Sequence, residues 1–165
     1  MTDSELMRLS EQVGLALKTR GAIVTTAESC TGGWLAKAIT DVAGSSAWFE
    51  RGFVTYSNEA KAQMIGVREE TLAQHGAVSE PVVVEMAIGA LKAARADFAI
   101  AISGIAGRMA AVKRSRLARC GLLSPASAEK GLRVGNASAA TVNRCVDRRR
   151  PTRYKTCGNN FYQNT

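Results

Sequence analysis

The chain of 165 residues contains one histidine, His75, so any histidine-based catalytic triad would depend on a single position. That position precedes Gly76 and suits the C-terminal turn of a helix, which makes it a structural residue. No stretch approaches the roughly 18 consecutive apolar residues of a membrane span. Met1-Thr2-Asp3-Ser4-Glu5 has neither the basic nor the apolar region of a secretory signal, so the expectation is a cytoplasmic protein. The four cysteines include no CxxC pair. Three of them, Cys120, Cys145 and Cys157, are spaced 25 and 12 apart with no histidine nearby, which is neither zinc spacing nor a disulfide framework. There is no Walker loop and no GxGxxG fingerprint. What is present is 46% apolar and 22% charged residues, a soluble globular composition with length for one ordinary domain.

Charge divides the chain. Residues 1–107 hold 9 basic and 12 acidic residues, a net −3, whereas residues 108–165 hold 13 basic residues against Glu129 and Asp147, a net +11. The break near Gly107 is therefore a change of composition. It separates an expected α/β domain at 1–107 from a basic tail at 108–165 that is not expected to form a domain of its own.

Up to that break, helices and strands are expected to alternate. Leu6, Leu9, Val13 and Leu17 fall at helical intervals between Ser4 and Arg20, with Gly21 as the stop. Residues 22–27 form a β-branched run that reads as a strand. A second helix carries Leu35, Ala38, Ile39 and Val42 and ends at Gly44-Ser45-Ser46. A strand is expected over Phe53–Tyr56, followed by a helix with Asn58 as N-cap and Lys61 in its first turn. Ser79-Glu80-Pro81 starts a helix running to about Arg95, and Phe98–Ile102 is a buried strand. Strand, glycine loop and helix in this order indicate an α/β layer fold with a mainly parallel sheet. Trp34, Trp48, Phe49 and Phe53 are assigned to its core.

In such sheets the loops after the strands meet at one edge, where ligands bind. Here they follow Ala27, Tyr56 and Ile102. Glu28-Ser29-Cys30-Thr31-Gly32-Gly33 offers hydroxyls, a thiol and two glycines at a helix N-terminus, a setting for a phosphate or a developing oxyanion. Lys61 beside the positive end of a helix dipole calls for a carboxylate, a phosphate or a catalytic role, and Tyr56 lies near it in sequence.

In order, Thr26-Ala27-Glu28-Ser29-Cys30-Thr31-Gly32-Gly33, Gly44-Ser45-Ser46 with Phe49, Gly52 to Tyr56-Ser57-Asn58 with Lys61, Gly76-Ala77-Val78-Ser79 and Ser103-Gly104-Ile105-Ala106-Gly107 resemble the C-terminal domain of the CinA family. The likeness covers about residues 4–107 and is greatest to the family's stand-alone nicotinamide-nucleotide amidases. It implies a three-layer α/β/α domain with a mainly parallel or mixed sheet. The implied activity is hydrolysis of the carboxamide of nicotinamide mononucleotide to nicotinate mononucleotide and ammonia, with no metal or redox cofactor. The family's serine and lysine chemistry implies Lys61 as base, with Tyr56 to relay or orient a proton. Ser46 and Ser29 are both candidates for the nucleophile. Ser46 is preferred, because Ser29, Thr31, Gly32 and Gly33 would make a cradle for phosphate or carboxamide oxygen, completed by Ser103 and Gly104. The implied partner is the small-molecule substrate, with no membrane and with a homo-oligomer open.

Beyond Gly107 the family continues Gly-Pro-(Asp or Thr)-Gly-Gly, whereas this chain reads Gly107-Arg108-Met109-Ala110-Ala111-Val112. A coding sequence GGC CCG GAT GGC GGC AGT GAA GAG AAG CCG that loses one C becomes GGC CGG ATG GCG GCA GTG AAG AGA AGC CG. Its translation is Gly-Arg-Met-Ala-Ala-Val-Lys-Arg-Ser-Arg, which is residues 107–116. A frameshift after Gly107 is the expectation, with loss of the later strands and a disrupted C-terminal third. The competing readings are nucleic-acid binding through Arg148-Arg149-Arg150 and Arg153-Tyr154-Lys155, which have no recognition helix or aromatic ladder around them, and an inactive remnant of the amidase.

Overall fold

The computed structural model of the chain describes residues 3–104, 118–123 and 133–135. The first helix, α1 (Asp3–Thr19), is followed by strand β1 (Val24–Glu28), helix α2 (Trp34–Thr40), a single 3-10 turn at Ser45–Ala47 and strand β2 (Phe49–Val54). Helices α3 (Asn58–Ile65), α4 (Glu69–His75) and α5 (Glu80–Ala94) precede strand β3 (Phe98–Gly104). Two short strands follow, β4 (Ala118–Leu123) and β5 (Arg133–Gly135).

The sheet order is β2-β1-β3-β4-β5. β1 runs parallel to both β2 and β3, while β4 lies antiparallel to β3 and β5 antiparallel to β4, so the sheet is mixed. Alternation along β1 and β3 divides the core between the two faces. Ala27, Ala99 and Ala101 face α5, where Val82, Val83, Met86, Ala87 and Ala90 pack with Ile65 and Leu72. Val24 and Ile100 face the opposite way, onto Leu17 of α1, Ile39 of α2 and Trp48. Three layers result, as the family resemblance implied. Leu17, at 1% exposure, anchors α1, and burial of such a side chain contributes roughly 2–3 kcal/mol. Small alanines on β1 and β3 let α5 lie close to the sheet. Gly89 does the same between helices, because a Cβ there would stand 1.7 Å from the Ile65 carbonyl oxygen.

Several boundaries differ from expectation. β2 starts at Phe49 and ends at Val54, rather than spanning Phe53–Tyr56. It is an edge strand with Glu50, Arg51 and Gly52 exposed, so its polar start hides its pairing from a hydrophobicity pattern. The cap of α3 is Ser57, whose Oγ accepts from Ala60 N at 3.0 Å, one residue before the Asn58 expected. Gly66 ends α3 and a separate helix, α4, follows, with His75 in its last turn and Gly76 as its C-cap, as expected of that histidine. Trp48 is buried, Phe49 and Phe53 pack at the margin of the core, but Trp34 is 51% exposed and is not core. The expectation that strands after Gly107 would be lost is corrected by β4 and β5. Strand addition to the open edge of β3 uses main-chain N–H and C=O groups, which residues 118–123 possess whatever their side chains. The runs Arg148–Arg150 and Arg153–Lys155 lie outside the described residues, as do the three C-terminal cysteines with the exception of the backbone of Cys120.

Candidate active site

Parallel pairing brings the C-terminal ends of β1, β2 and β3 to one edge, and the site is built there. Glu28 pairs with Val54 on one side and Ile102 on the other, so Ser29, Thr55 and Ser103 follow at the same level. Ser29 N donates to Ile102 O at 3.0 Å and Thr55 N donates to Glu28 O at 2.7 Å, which extends the register one residue beyond the strands.

Helix α3 carries Lys61 into this edge. Ser57 caps the helix, and Lys61 N donates to Ser57 O at 3.2 Å, so the lysine sits within the first turn and its side chain folds back under the preceding loop. The chain of Lys61 is 1% exposed. Its Nζ lies 2.9 Å from Thr55 O, 3.1 Å from Tyr56 O and 3.2 Å from Ser29 Oγ, with Ser57 O at 3.5 Å. Burial pushes the Lys61 amine below the ordinary lysine range, and Cys30 opposes the shift. Burial likewise pushes the half-buried Cys30 thiol up, against its own N–H, Lys61 and the Thr31 N–H, all of which favour the thiolate, while Glu28 adds to the rise.

A neutral amine has two hydrogens and one lone pair. With the carbonyls of Thr55 and Tyr56 accepting from Nζ, its remaining position faces Ser29 Oγ, the third close partner of the amine. The structure thus brings a serine hydroxyl, a buried amine and two backbone carbonyls together at one edge of the sheet.

Ser46, the serine preferred from the sequence, is not brought to Lys61 by the structure. Its 3-10 turn precedes β2, and the adjoining Trp48 O accepts from Val24 N at the opposite end of β1. The five residues of β1 separate the two edges by about 16 Å at the usual rise of a strand. Ser46 is also exposed, with an open 3-10 turn around it. Tyr56 contributes its carbonyl, whereas the residue as a whole is 68% exposed. Ser103, 1% exposed, donates from Oγ to Ala77 O at 2.7 Å and so ties the end of β3 to the loop before α5. Gly104 ends that strand.

Beyond the glycine loop, the first amides of α2 are engaged within the chain. Gly32 and Gly33 have φ of 59° and 95°, left-handed values that favour glycine, and they turn the chain from β1 into α2. The first-turn donors Leu35 N and Ala36 N are already taken by the Glu28 carboxylate, at 2.9 and 2.8 Å. These two amides are therefore not open to a substrate anion. Thr31 Oγ1 is buried and has no hydrogen-bond partner. Sequence reasoning missed two contributors, the Thr55 carbonyl and the Glu28 side chain. A carbonyl leaves no trace in residue type; the signal for Glu28 was an acid ahead of a helix whose cap position is Gly33, without a capping side chain.

Comparison with known proteins gives a consistent picture. The chain matches the CinA C-terminal domain over residues 6–141. The nicotinamide-nucleotide amidohydrolases PncC of Escherichia coli K12 and Shigella flexneri are 91% identical to it over 107 residues, which is 65% of this chain and 65% of theirs. The PncC of Enterobacter agglomerans is 64% identical over 107 residues, with the same two shares. The chain thus matches about two thirds of the length of these curated relatives. Among solved structures, the competence/damage inducible protein CihA from Agrobacterium tumefaciens is similar with a TM-score of 0.74 and 38% identity, over 88% of this chain and 93% of that one. The CinA superfamily protein KP700603 from Klebsiella pneumoniae gives 0.71 and 38%, over 86% and 90%.

Proposed function

The chain belongs to the CinA C-terminal domain family, and from that premise we propose that it hydrolyses the carboxamide of nicotinamide mononucleotide to nicotinate mononucleotide and ammonia. The names of its PncC relatives support the reaction class. The observation that carries the mechanism is the buried Lys61 Nζ within 3.2 Å of Ser29 Oγ. Ser29 Oγ attacks the carboxamide carbon as Lys61 takes its proton. The tetrahedral adduct collapses when Lys61 returns that proton to the departing nitrogen, releasing ammonia and leaving an ester on Ser29. Water, deprotonated by Lys61, attacks the ester carbonyl; collapse of the second adduct frees the carboxylate product, and Ser29 Oγ recovers its proton from Lys61. The unpartnered Thr31 hydroxyl supports a substrate contact at that residue, with Gly32, Gly33 and Gly104 as neighbouring surfaces. Tyr56 acts by holding Lys61 through its carbonyl.

Ammonia release from nicotinamide mononucleotide by the full chain tests this reading. Ser29→Ala should abolish turnover, and unchanged turnover in that variant would refute it. A cytoplasmic location and a homo-oligomeric state belong to the same proposal and are tested by cell fractionation and light scattering. Among the described residues no helix is long and apolar enough to cross a membrane.

The frameshift after Gly107 is a separate proposal, in which residues 108–165 do not form a domain of their own. Its support is that relatives at 91% and at 64% identity both match over 107 residues, so the extent of the match does not depend on divergence.

A further inference from the structure

Glu28 takes no part in the steps above, yet its side chain is fully buried at the site edge. A helix N-terminus leaves N–H donors unsatisfied and carries the positive end of the dipole, and a capping Ser, Thr, Asp or Asn usually meets both needs. In α2 the cap position is Gly33, which has no side chain to offer. The acceptor comes instead from the last residue of β1: the two Glu28 oxygens receive Leu35 N at 2.9 Å and Ala36 N at 2.8 Å. This closes residues 29–33 into a loop clamped at both ends, and Ser29 is its first residue.

The main chain of Glu28 reaches the other half of the pair. Its carbonyl accepts from Thr55 N at 2.7 Å and from Thr55 Oγ1 at 3.5 Å, and the Thr55 carbonyl holds Lys61 Nζ at 2.9 Å. One residue is therefore joined to Ser29 by a peptide bond and to Lys61 through a single intervening residue, Thr55. We propose that Glu28 is a positioning residue that sets the separation of Ser29 Oγ and Lys61 Nζ, by clamping the β1–α2 loop with its carboxylate and Thr55 with its carbonyl. It rests on the Ser29–Lys61 reading but not on the identity of the substrate.

Glu28→Gln keeps the shape and replaces one oxygen by an amide N–H2 that faces a backbone donor, so one clamp bond is lost and the loop is pushed outward. The full chain, this variant and Leu17→Ala, a core truncation far from the site, are compared by three measurements. These are the melting temperature, kcat and KM for ammonia release, and the rate at which a fluorophosphonate labels Ser29, followed by peptide mass. Glu28→Gln should slow both labelling and kcat by about 10- to 100-fold, as small misplacements of reacting groups do. KM should stay within about twofold, because substrate contacts remain. Leu17→Ala should lose at least as much melting temperature yet label at the parental rate well below its transition. Should Glu28→Gln not fold, Glu28→Asp serves, because its carboxylate is retained one methylene short and its labelling should be slowed to a smaller extent.

Parental labelling and kcat in the Glu28 variant would overturn the proposal, as would an equal slowing in Leu17→Ala, which would trace reactivity to global stability. Absence of Ser29 labelling in the parental chain would overturn it together with the Ser29–Lys61 mechanism. Labelling that depends on Glu28 in a chain that releases no ammonia would uphold Glu28 and refute the substrate alone.

Discussion

A lysine that serves as a base must be neutral, and Lys61 is held below the ordinary lysine range by its burial. The consequence is a paired effect of pH on rate and on stability. Below the folded-state pKa of Lys61 the neutral fraction falls tenfold per pH unit, so log kcat/KM should rise with a slope of about one and then level off as pH passes that pKa. The same shift acts on folding. Because the folded pKa is depressed, the unfolded chain binds more protons between the folded pKa and the unfolded lysine pKa. Stability contributed by Lys61 is thus fully present above the unfolded value and is lost as pH falls through the folded one. Within that window the slope is at most about 1.4 kcal/mol per pH unit for one proton. Lys61→Met removes both effects. The assay is urea unfolding of the parental chain and of Lys61→Met across neutral to alkaline pH, beside initial rates of ammonia release. The difference in unfolding free energy between the two should change in the parental chain's favour as pH rises, and Lys61→Met should lose about 10²–10⁴-fold in turnover. Lys61→Arg keeps a cation that does not deprotonate and should be equally inactive. A rate limb only in the ordinary lysine range, or a pH-independent stability difference, would refute the assignment of Lys61 as a buried base.

Three further outcomes are expected, two from the geometry and one from the sequence. Ser46→Ala should keep parental kcat and KM in the ammonia assay, because about 16 Å of strand separates that turn from Lys61; a loss matching Ser29→Ala would reinstate Ser46. Gly89→Ala should destabilise the fold by about 1–3 kcal/mol in urea melts, since its Cβ would meet the Ile65 carbonyl oxygen at 1.7 Å. Resequencing the source DNA should locate a missing base just after the Gly107 codon, and a chain carrying the family's usual continuation should turn over faster than this one; an unbroken frame, or no gain in rate, would remove the frameshift proposal.

Local sequence determined most of the layers. The helical stripe ending in Leu17, the β-branched run at 22–27 that forms most of β1 and the Ser79-Glu80-Pro81 start all record backbone preferences and burial periods that operate within a few residues. Lys61 was legible for a similar reason, since a cation in the first turn of a helix works against the dipole and asks for an explanation. Edge strand β2 was less legible, because a strand with one partner needs no apolar alternation to pair.

The choice between two serines could not be read locally. Ser29 and Ser46 both sit in Gly/Ser turns, and nothing within a few residues of either tells which end of the sheet it occupies. Parallel pairing of β1, β2 and β3 decides that, placing Ser29 level with Thr55 and leaving Ser46 beside the start of β1. The partners of Lys61 are carbonyl groups, identical in every residue and selected by position alone. The side chain of Glu28 reached α2 only because the turn at Gly32 and Gly33 brings the helix start back over the strand end. Residue types thus set the elements and supplied the reactive groups, while tertiary contacts, among them that of Ser29 with Lys61 32 positions away, chose which of those groups meet.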